Sequence, residues 1–159
     1  RYAPQRTLLL RGFGKSYGMT GWRLGCAAGP KWLIEEMTKL QQYTFVCAPS
    51  MVQWAGLAAL DADISGHVND YRRKRDLAVS LLEKDFELAR PGGGFYIFPR
   101  IPQRFENDFA FVEQAIANNV LIIPGSVFSE QKTHFRLSYA TTDEKIRQGC
   151  EILCRIARG

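Results

Sequence analysis

Apolar and polar positions along the chain follow two alternating patterns. Short apolar runs that end at glycine or proline predict β-strands, and apolar residues spaced three or four apart predict helices. The predicted strands are residues 7–13, 24–28, 95–98, 120–123 and 135–139. The predicted helices begin after Gly29-Pro30, at Ser50, at Val68, around Phe109 and after Thr141. Because strands and helices alternate, we assign the fold class α/β.

The sequence also predicts where two of the helices begin and which residues are buried. Ser50 with Gln53, and Thr141 with Glu144, have the spacing of a capping box, which stabilises a helix start. The strand at residues 7–13 is expected to be buried, because it is an almost unbroken apolar run. The expected buried residues of the first and last long helices are Leu33, Met37 and Leu40, and Ile146, Cys150 and Leu153.

A short polar and acidic segment, Asp61–Gly66, is the best candidate for a domain boundary. We therefore predict two parts, residues 1–65 and residues 66–159. The basic run Arg72–Arg75 falls inside the long helix of the second part. We interpret it as a solvated helix face rather than a nucleic-acid patch, because no base-stacking aromatic residues are interleaved with it.

Composition narrows the class of protein. The chain has 159 residues, of which 46% are hydrophobic, and 21 Lys and Arg against 16 Asp and Glu give a net charge of +5. These values are typical of a globular domain and exclude a disordered linker. The modest positive charge permits anionic ligands. Residues 40–60 carry no charge, but their glutamines and Pro49 favour a buried helix pair over a membrane span.

Cysteine and histidine usage bears on metal binding and on the compartment. The cysteines Cys26, Cys47, Cys150 and Cys154 form no Cys-x-x-Cys pair, and the two histidines lie far from them in sequence. We therefore predict no metal site. Four free thiols and the lack of a targeting segment favour a reducing, cytoplasmic compartment.

The segment after the first strand, Gly12-Phe13-Gly14-Lys15-Ser16, invites a nucleotide-binding interpretation. A Walker loop would need its first glycine at position 9, which is leucine, and a helix after the lysine. Residues 15–23 are instead expected to form a loop punctuated by glycines. A lysine amine at a strand exit suits Schiff-base formation with an aldehyde, and the nearby Arg23 suits a phosphate ester. Together these are the minimum that pyridoxal phosphate requires.

Residues 14–25, with the sequence GKSYGMTGWRLG, closely resemble the cofactor-lysine segment of class I/II aminotransferases, which are fold-type I pyridoxal phosphate enzymes. The resemblance continues, in family order, through Ala48-Pro49-Ser50, Gly93-Gly94-Phe95-Tyr96, Ile123-Pro124-Gly125-Ser126 and Phe135-Arg136-Leu137-Ser138-Tyr139-Ala140. It implies that Lys15 is the catalytic, cofactor-binding lysine and that Arg23 binds the cofactor phosphate. It further implies that Arg136 binds the substrate α-carboxylate, that the substrates are an amino acid and a 2-oxo acid, and that the parent protein is a homodimer.

Two positions depart from the family pattern near the cofactor lysine, and one departs later. The family usually has serine three residues before and one residue before the lysine, where this chain has Gly12 and Gly14. The first of those serines would supply a hydroxyl to the phosphate, so a contact at this point has to come from backbone N–H groups or a water, while Arg23 remains. The family often has glycine after the phenylalanine near Pro124, where this chain has Ser129 after Phe128.

The resemblance covers only the C-terminal part of such enzymes. It implies that residues 1–65 are the end of the large cofactor-binding domain, and that residues 66–159 are a linking helix with the small C-terminal domain. The aspartate that pairs with the pyridine nitrogen belongs to the upstream part of the family. We therefore expect the chain to be a fragment that is inactive in isolation.

The expected function is that of a pyridoxal phosphate-dependent aminotransferase, a transferase. Residues Met19–Trp22 favour its aspartate or aromatic and kynurenine branch. Two alternatives stay open from the sequence. One is a carbon–sulfur lyase of the same fold, and the other is a non-catalytic effector module that keeps the lysine. The parent sequence upstream of this chain would distinguish the non-catalytic effector module from the aminotransferase and the lyase.

Overall fold

The computed structural model describes residues 3–159, and the chain divides into two units, Arg1–Ser65 and Gly66–Gly159. In the first unit, β1 (Leu9–Gly12) and β2 (Gly25–Ala28) form an antiparallel pair. Leu9 pairs with Ala28, and Gly12 pairs with Gly25. The connection between these strands therefore starts and ends at adjacent glycines, which brings residues 13–24 together at one end of the pair.

Two longer helices complete the first unit: α2 (Lys31–Gln42) and α3 (Ser50–Leu60). A proline, Pro30 or Pro49, precedes each helix and has extended backbone angles. The capping box predicted at Ser50 is wrong, because Pro49 occupies the N-cap position and Ser50 is the first helical residue. Gln53 instead folds back, and its amide donates a 2.7 Å hydrogen bond to the carbonyl of Ala48.

The buried part of the first unit is small. It centres on Phe13, Met19 and Val52. Gly56 of α3 lies next to this buried group and close to the loop that precedes β2. The burial predicted for the first strand is wrong, because all residues of β1 are exposed. The predicted stripe of α2 is wrong at Leu40, which is 68% exposed, and no residue of α2 is fully buried. Residues 3–65 do not contain enough packed layers of secondary structure to bury the apolar faces of both the strands and the helices.

In the second unit, a three-stranded antiparallel sheet has the order β3–β5–β4. The strands are β3 (Tyr96–Ile97), β4 (Ile123–Pro124) and β5 (Phe135–Ser138). Tyr96 pairs with Ser138, and Ile123 pairs with Arg136. The strands are shorter than predicted, most of all in residues 120–123. Val120 and Ile122 are buried, which gives the sequence a strand-like apolar pattern, but they do not pair with a neighbouring strand.

The second unit has three helices, α4 (Ser65–Leu82), α5 (Asp108–Ala117) and α6 (Asp143–Arg158). They share a buried core with Ile97 and Phe135 of the sheet. The inward residues predicted for the last helix are confirmed, since Ile146, Cys150 and Leu153 are all buried. The predicted cap of that helix is wrong by one position. Thr142, not Thr141, is the N-cap, and its hydroxyl accepts a hydrogen bond from the Lys145 amide.

The basic run on α4 forms ion pairs with carboxylates of the same unit. Arg73 pairs with Asp70 of α4 and with Asp143 of α6, and Lys74 lies 2.9 Å from Asp70. The hydrogen bonds from Lys74 and Arg73 lower the pKa of Asp70. These contacts support the interpretation of the run as a helix surface. None of the helices in residues 3–159 has the length and apolar character that crossing a membrane requires.

Gly125 has a strict steric requirement at the turn after β4. A Cβ atom there would lie 2.5 Å from the backbone oxygen of His134, to which the Gly125 amide already donates a 2.8 Å hydrogen bond. We expect Gly125→Ala to lower the free energy of unfolding by about 1–3 kcal/mol, because strand and turn must separate.

The matched control is Gly149→Ala in the middle of α6, where the nearest neighbour, Val120, is 4.0 Å from the new Cβ. Alanine has the better helix propensity, so this change should raise the free energy of unfolding by roughly 0.5–1 kcal/mol. Urea unfolding of the two variants checks both signs. Equal stability of Gly125→Ala and the parent would contradict the steric argument.

Candidate active site

Lys15 lies on a single helical turn, α1 (Phe13–Ser16), that follows β1 directly. The amide of Phe13 donates a 3.0 Å hydrogen bond to the carbonyl of Leu24, and the Phe13 ring stacks on Tyr17 with centroids 5.4 Å apart. Lys15 therefore lies on an ordered turn with a buried anchor. The predicted loop over residues 15–23 is wrong at this point, because Lys15 and Ser16 belong to a helical turn that begins at buried Phe13.

Arg23 adopts the left-handed backbone conformation, with φ 53° and ψ 41°. This conformation is uncommon for residues other than glycine and is found most often where a function or a tight turn demands it. Here it reverses the chain between a 3-10 turn, Thr20–Trp22, and the start of β2. One guanidinium nitrogen, Nη1, donates a 3.3 Å hydrogen bond to the carbonyl of Thr20.

Lys15 and Arg23 line the same cavity, which has a volume of about 460 Å³. Glycine backbone at positions 12, 14 and 25 forms much of the remaining wall. A second cavity of about 480 Å³ shares Arg23 with the first and extends along β2. An amine and a guanidinium at one cavity form a donor set that fits a ligand bearing both a carbonyl and a phosphate group.

At Gly12 and Gly14, where the family usually has serine, the structure has room for a larger side chain. A Cβ atom at Gly12 would meet nothing within 4 Å, and one at Gly14 would make ordinary contact with Thr20 at 3.5 Å. Gly12 also has extended backbone angles that any residue adopts. A hydroxyl side chain would fit at either position, so the glycines there are not required by the space around them.

Arg136 belongs to the second unit, where it lies on β5 opposite Ile123. Its guanidinium carbon is 4.3 Å from the ring centre of Tyr96 and 4.2 Å from that of Phe128. Neither aromatic residue has a role predicted from the sequence. Strand alternation places Tyr96 on the same sheet face as Arg136 once the pairing is known, but Phe128 follows a turn, for which periodicity gives no direction.

A buried carboxylate, Asp108, lies beside that turn. It is fully buried, and it accepts hydrogen bonds from the amides of Ser126 at 2.7 Å and Phe109 at 3.1 Å. Burial raises the pKa of Asp108, but the hydrogen bonds from Ser126 and Phe109 outweigh that effect, so the pKa lies below its ordinary value. The carboxylate thereby ties the start of α5 to the segment that leads to Phe128.

Several known proteins are similar to this chain along nearly its whole length. YugH of Bacillus subtilis strain 168, named as an aminotransferase, is 40% identical over 97% of this chain and 41% of its own length. The aspartate aminotransferase of Pyrococcus abyssi is 35% identical over 97% of this chain and 42% of its own length. This chain thus spans about two fifths of the relatives that it matches.

The solved structures agree with the sequence comparison. The crystal structure of an aromatic aminotransferase from Pyrococcus horikoshii superposes with a TM-score of 0.89 at 34% identity, over 98% of this chain and 44% of that one. The mixed α/β fold is therefore a portion of the aminotransferase fold. The family model described as aminotransferase class I and II matches residues 2–153. By sequence and by fold, this chain belongs to the class I and II aminotransferases.

Proposed function

We propose that this chain is the C-terminal part of a pyridoxal phosphate-dependent aminotransferase, which moves an amino group between an amino acid and a 2-oxo acid. The observation that carries the proposal is the cavity lined by both Lys15 and Arg23. When bound, pyridoxal phosphate supplies the electron sink that makes the α-carbon of an amino acid acidic. The residues of this chain bind it, orient the substrate and move a proton.

Lys15 is the residue that we assign to covalent attachment and proton movement. Lysine is the side chain whose amine reacts with an aldehyde. The amine of Lys15 would also serve as the base that removes and returns the proton of the substrate α-carbon. The ordered turn that carries Lys15 reduces its freedom, because the Phe13 anchor fixes the backbone two residues before it.

Arg23 is the residue that we assign to the cofactor phosphate. A guanidinium binds two phosphate oxygens in parallel and stays charged at every working pH. The bond from Nη1 to the Thr20 carbonyl restricts the side chain and leaves the other donors for a ligand. Backbone amides of the surrounding glycines supply further donors in place of the serine that the family usually has at position 12.

Arg136 is the residue that we assign to the substrate α-carboxylate. The alternative is that it is a structural ion-pair partner. Among residues 3–159, no Asp or Glu carboxylate lies within ion-pair distance of Arg136, whereas Arg73, Arg75, Arg90 and Arg100 all have such partners. A half-buried arginine without an internal carboxylate favours a ligand carboxylate as its partner.

The substrate class that we propose is acidic or aromatic amino acids. Its support is that relatives at 35% and 34% identity are named as aspartate and aromatic-amino-acid aminotransferases. We further propose that the full-length protein is a homodimer, as the resemblance to the aminotransferases implies. We also place it in the cytoplasm, for which the four free cysteines are the support within this chain. Residues 1–65 then end the large domain, residues 66–159 form the linking helix and the small C-terminal domain, and the isolated chain is expected to be inactive.

Product analysis of the full-length protein tests the function. We expect [15N]aspartate or [15N]phenylalanine to transfer its label to an added 2-oxo acid, with a two-stage, double-displacement rate law. Formation of pyruvate and a thiol from cystathionine, without exchange of label, would instead identify the carbon–sulfur lyase. A protein that binds pyridoxal phosphate but carries out neither reaction would identify the non-catalytic module.

A further inference from the structure

Two aromatic rings flank the guanidinium of Arg136 on one face of the small sheet. Strand pairing places Tyr96, Arg136 and Ser138 on the same face. The guanidinium carbon of Arg136 is within 4.3 Å of the ring centres of Tyr96 and Phe128. Both distances are well inside the range of about 6 Å over which a ring attracts a cation. The arginine side chain is therefore held by two rings and by no carboxylate of residues 3–159.

These contacts leave the hydrogen-bonding capacity of the guanidinium available. The rings contact the region of the central carbon, whereas the N–H donors of a guanidinium point outward in its plane. A carboxylate partner would occupy the same donors that a ligand carboxylate needs. Aromatic rings fix the orientation of the side chain without that competition.

The second ring is itself held in place by the backbone. Phe128 ends a 3-10 turn in which its amide donates a 2.8 Å hydrogen bond to the Gly125 carbonyl. The Ser126 amide donates to buried Asp108, and the Gly125 amide donates to His134 of the neighbouring chain segment. The ring of Phe128 also meets Phe98 edge-on, with centroids 6.4 Å apart. The turn has little freedom to move the ring away from Arg136.

We propose that Tyr96 and Phe128, here called the aromatic clamp, are positioning residues that hold the Arg136 guanidinium in the orientation that receives the α-carboxylate of the substrate. This inference rests on the proposed role of Arg136 and adds two residues to it. The clamp restricts a long side chain before the substrate arrives, so less conformational freedom is lost on binding.

The test is Phe128→Leu, Tyr96→Leu and the double variant in the full-length holoenzyme. Each single change should raise KM for L-aspartate and L-phenylalanine alike by about 3- to 10-fold, and kcat should change less than 2-fold, because the carboxylate is bound equally in the ground and transition states. The dissociation constant of maleate, measured by calorimetry, should rise by a similar factor. Phe128→Tyr keeps a ring and should restore the parent values.

Two controls separate positioning from packing. Phe109 is a half-exposed aromatic residue of the same unit, and Phe109→Leu should leave KM unchanged. Since Tyr96 and Phe128 are themselves 39% and 50% exposed, their leucine variants should fold. Leucine variants that lower the melting temperature but leave KM and maleate binding unchanged would overturn the clamp.

A double-mutant cycle distinguishes failure of the clamp from failure of the proposed function. In an Arg136→Ala background, Phe128→Leu should have no further effect on maleate binding, because the ring acts through the arginine. If Arg136→Ala weakens carboxylate binding but the leucine variants do not, the clamp is wrong and the proposed function stands. If Arg136→Ala has no effect on carboxylate binding, both the role proposed for Arg136 and the aromatic clamp are wrong.

Discussion

Replacing Lys15 by alanine in the full-length protein should abolish covalent cofactor binding and lower turnover by at least about 10⁴-fold. The reason is that one amine carries out both attachment and proton transfer, and water replaces it poorly in either role. Borohydride reduction followed by peptide mapping is the direct measurement. The parent protein should carry its label on Lys15, and the variant should carry none.

The matched control is Lys31→Ala. Lys31 begins α2, where it forms a 3.7 Å ion pair with Glu35 and does not line the cavity of Lys15 and Arg23. That variant should keep both the label on Lys15 and its turnover. A label on any lysine other than Lys15 in the parent protein would contradict the assignment.

The cavity of Lys15 and Arg23 was accessible to sequence reasoning because its residues are close in the chain. Eight positions separate the two side chains, and the glycines around them marked close backbone approach. The conformation that brings them to one cavity was not accessible. The helical turn at Lys15 begins at buried Phe13, whose backbone amide donates a hydrogen bond to the carbonyl of Leu24, the residue after left-handed Arg23, and no local sequence pattern shows this contact.

The buried faces of the two units differ in how well the sequence predicted them. In α6, a helix with charged residues on its outer side, the inward set of Ile146, Cys150 and Leu153 is confirmed. In the first unit, the apolar residues of β1 and α3 are largely exposed in this structure. Apolar content predicts that a surface will be covered, but periodicity does not say whether the cover comes from the same stretch of chain.

Residues that act through a distant neighbour were missed altogether. Tyr96 and Phe128 are separated from Arg136 by a strand pairing and by a turn, so their contact with the guanidinium is a property of the tertiary fold. The resemblance to aminotransferases indicated a role for Arg136 but none for the rings beside it. Contacts of this kind need the sheet register, which a single sequence does not determine.

Arg136→Lys should weaken every amino-acid and 2-oxo-acid substrate alike in the full-length enzyme, because all of them carry the α-carboxylate. Lysine keeps the positive charge but loses the two parallel donors and the contact of the guanidinium carbon with the rings of Tyr96 and Phe128. Losing part of a charged hydrogen-bond pair should cost about 2–4 kcal/mol in kcat/KM, which is roughly 30- to 1,000-fold. Steady-state kinetics with L-aspartate and L-phenylalanine measure the effect, and cofactor content should be unchanged.

The control for the arginine-to-lysine change itself is Arg100→Lys in the same unit. Arg100 is half-exposed and lies 3.3 Å from Glu87, so a lysine there keeps the ion pair, and kcat/KM should be unaffected. Two results would contradict the role of Arg136. If only the dicarboxylic substrate suffers, Arg136 binds the distal acid group rather than the shared one. If the melting temperature falls while the folded variant keeps normal kinetics, Arg136 is a structural residue, and the α-carboxylate is bound elsewhere.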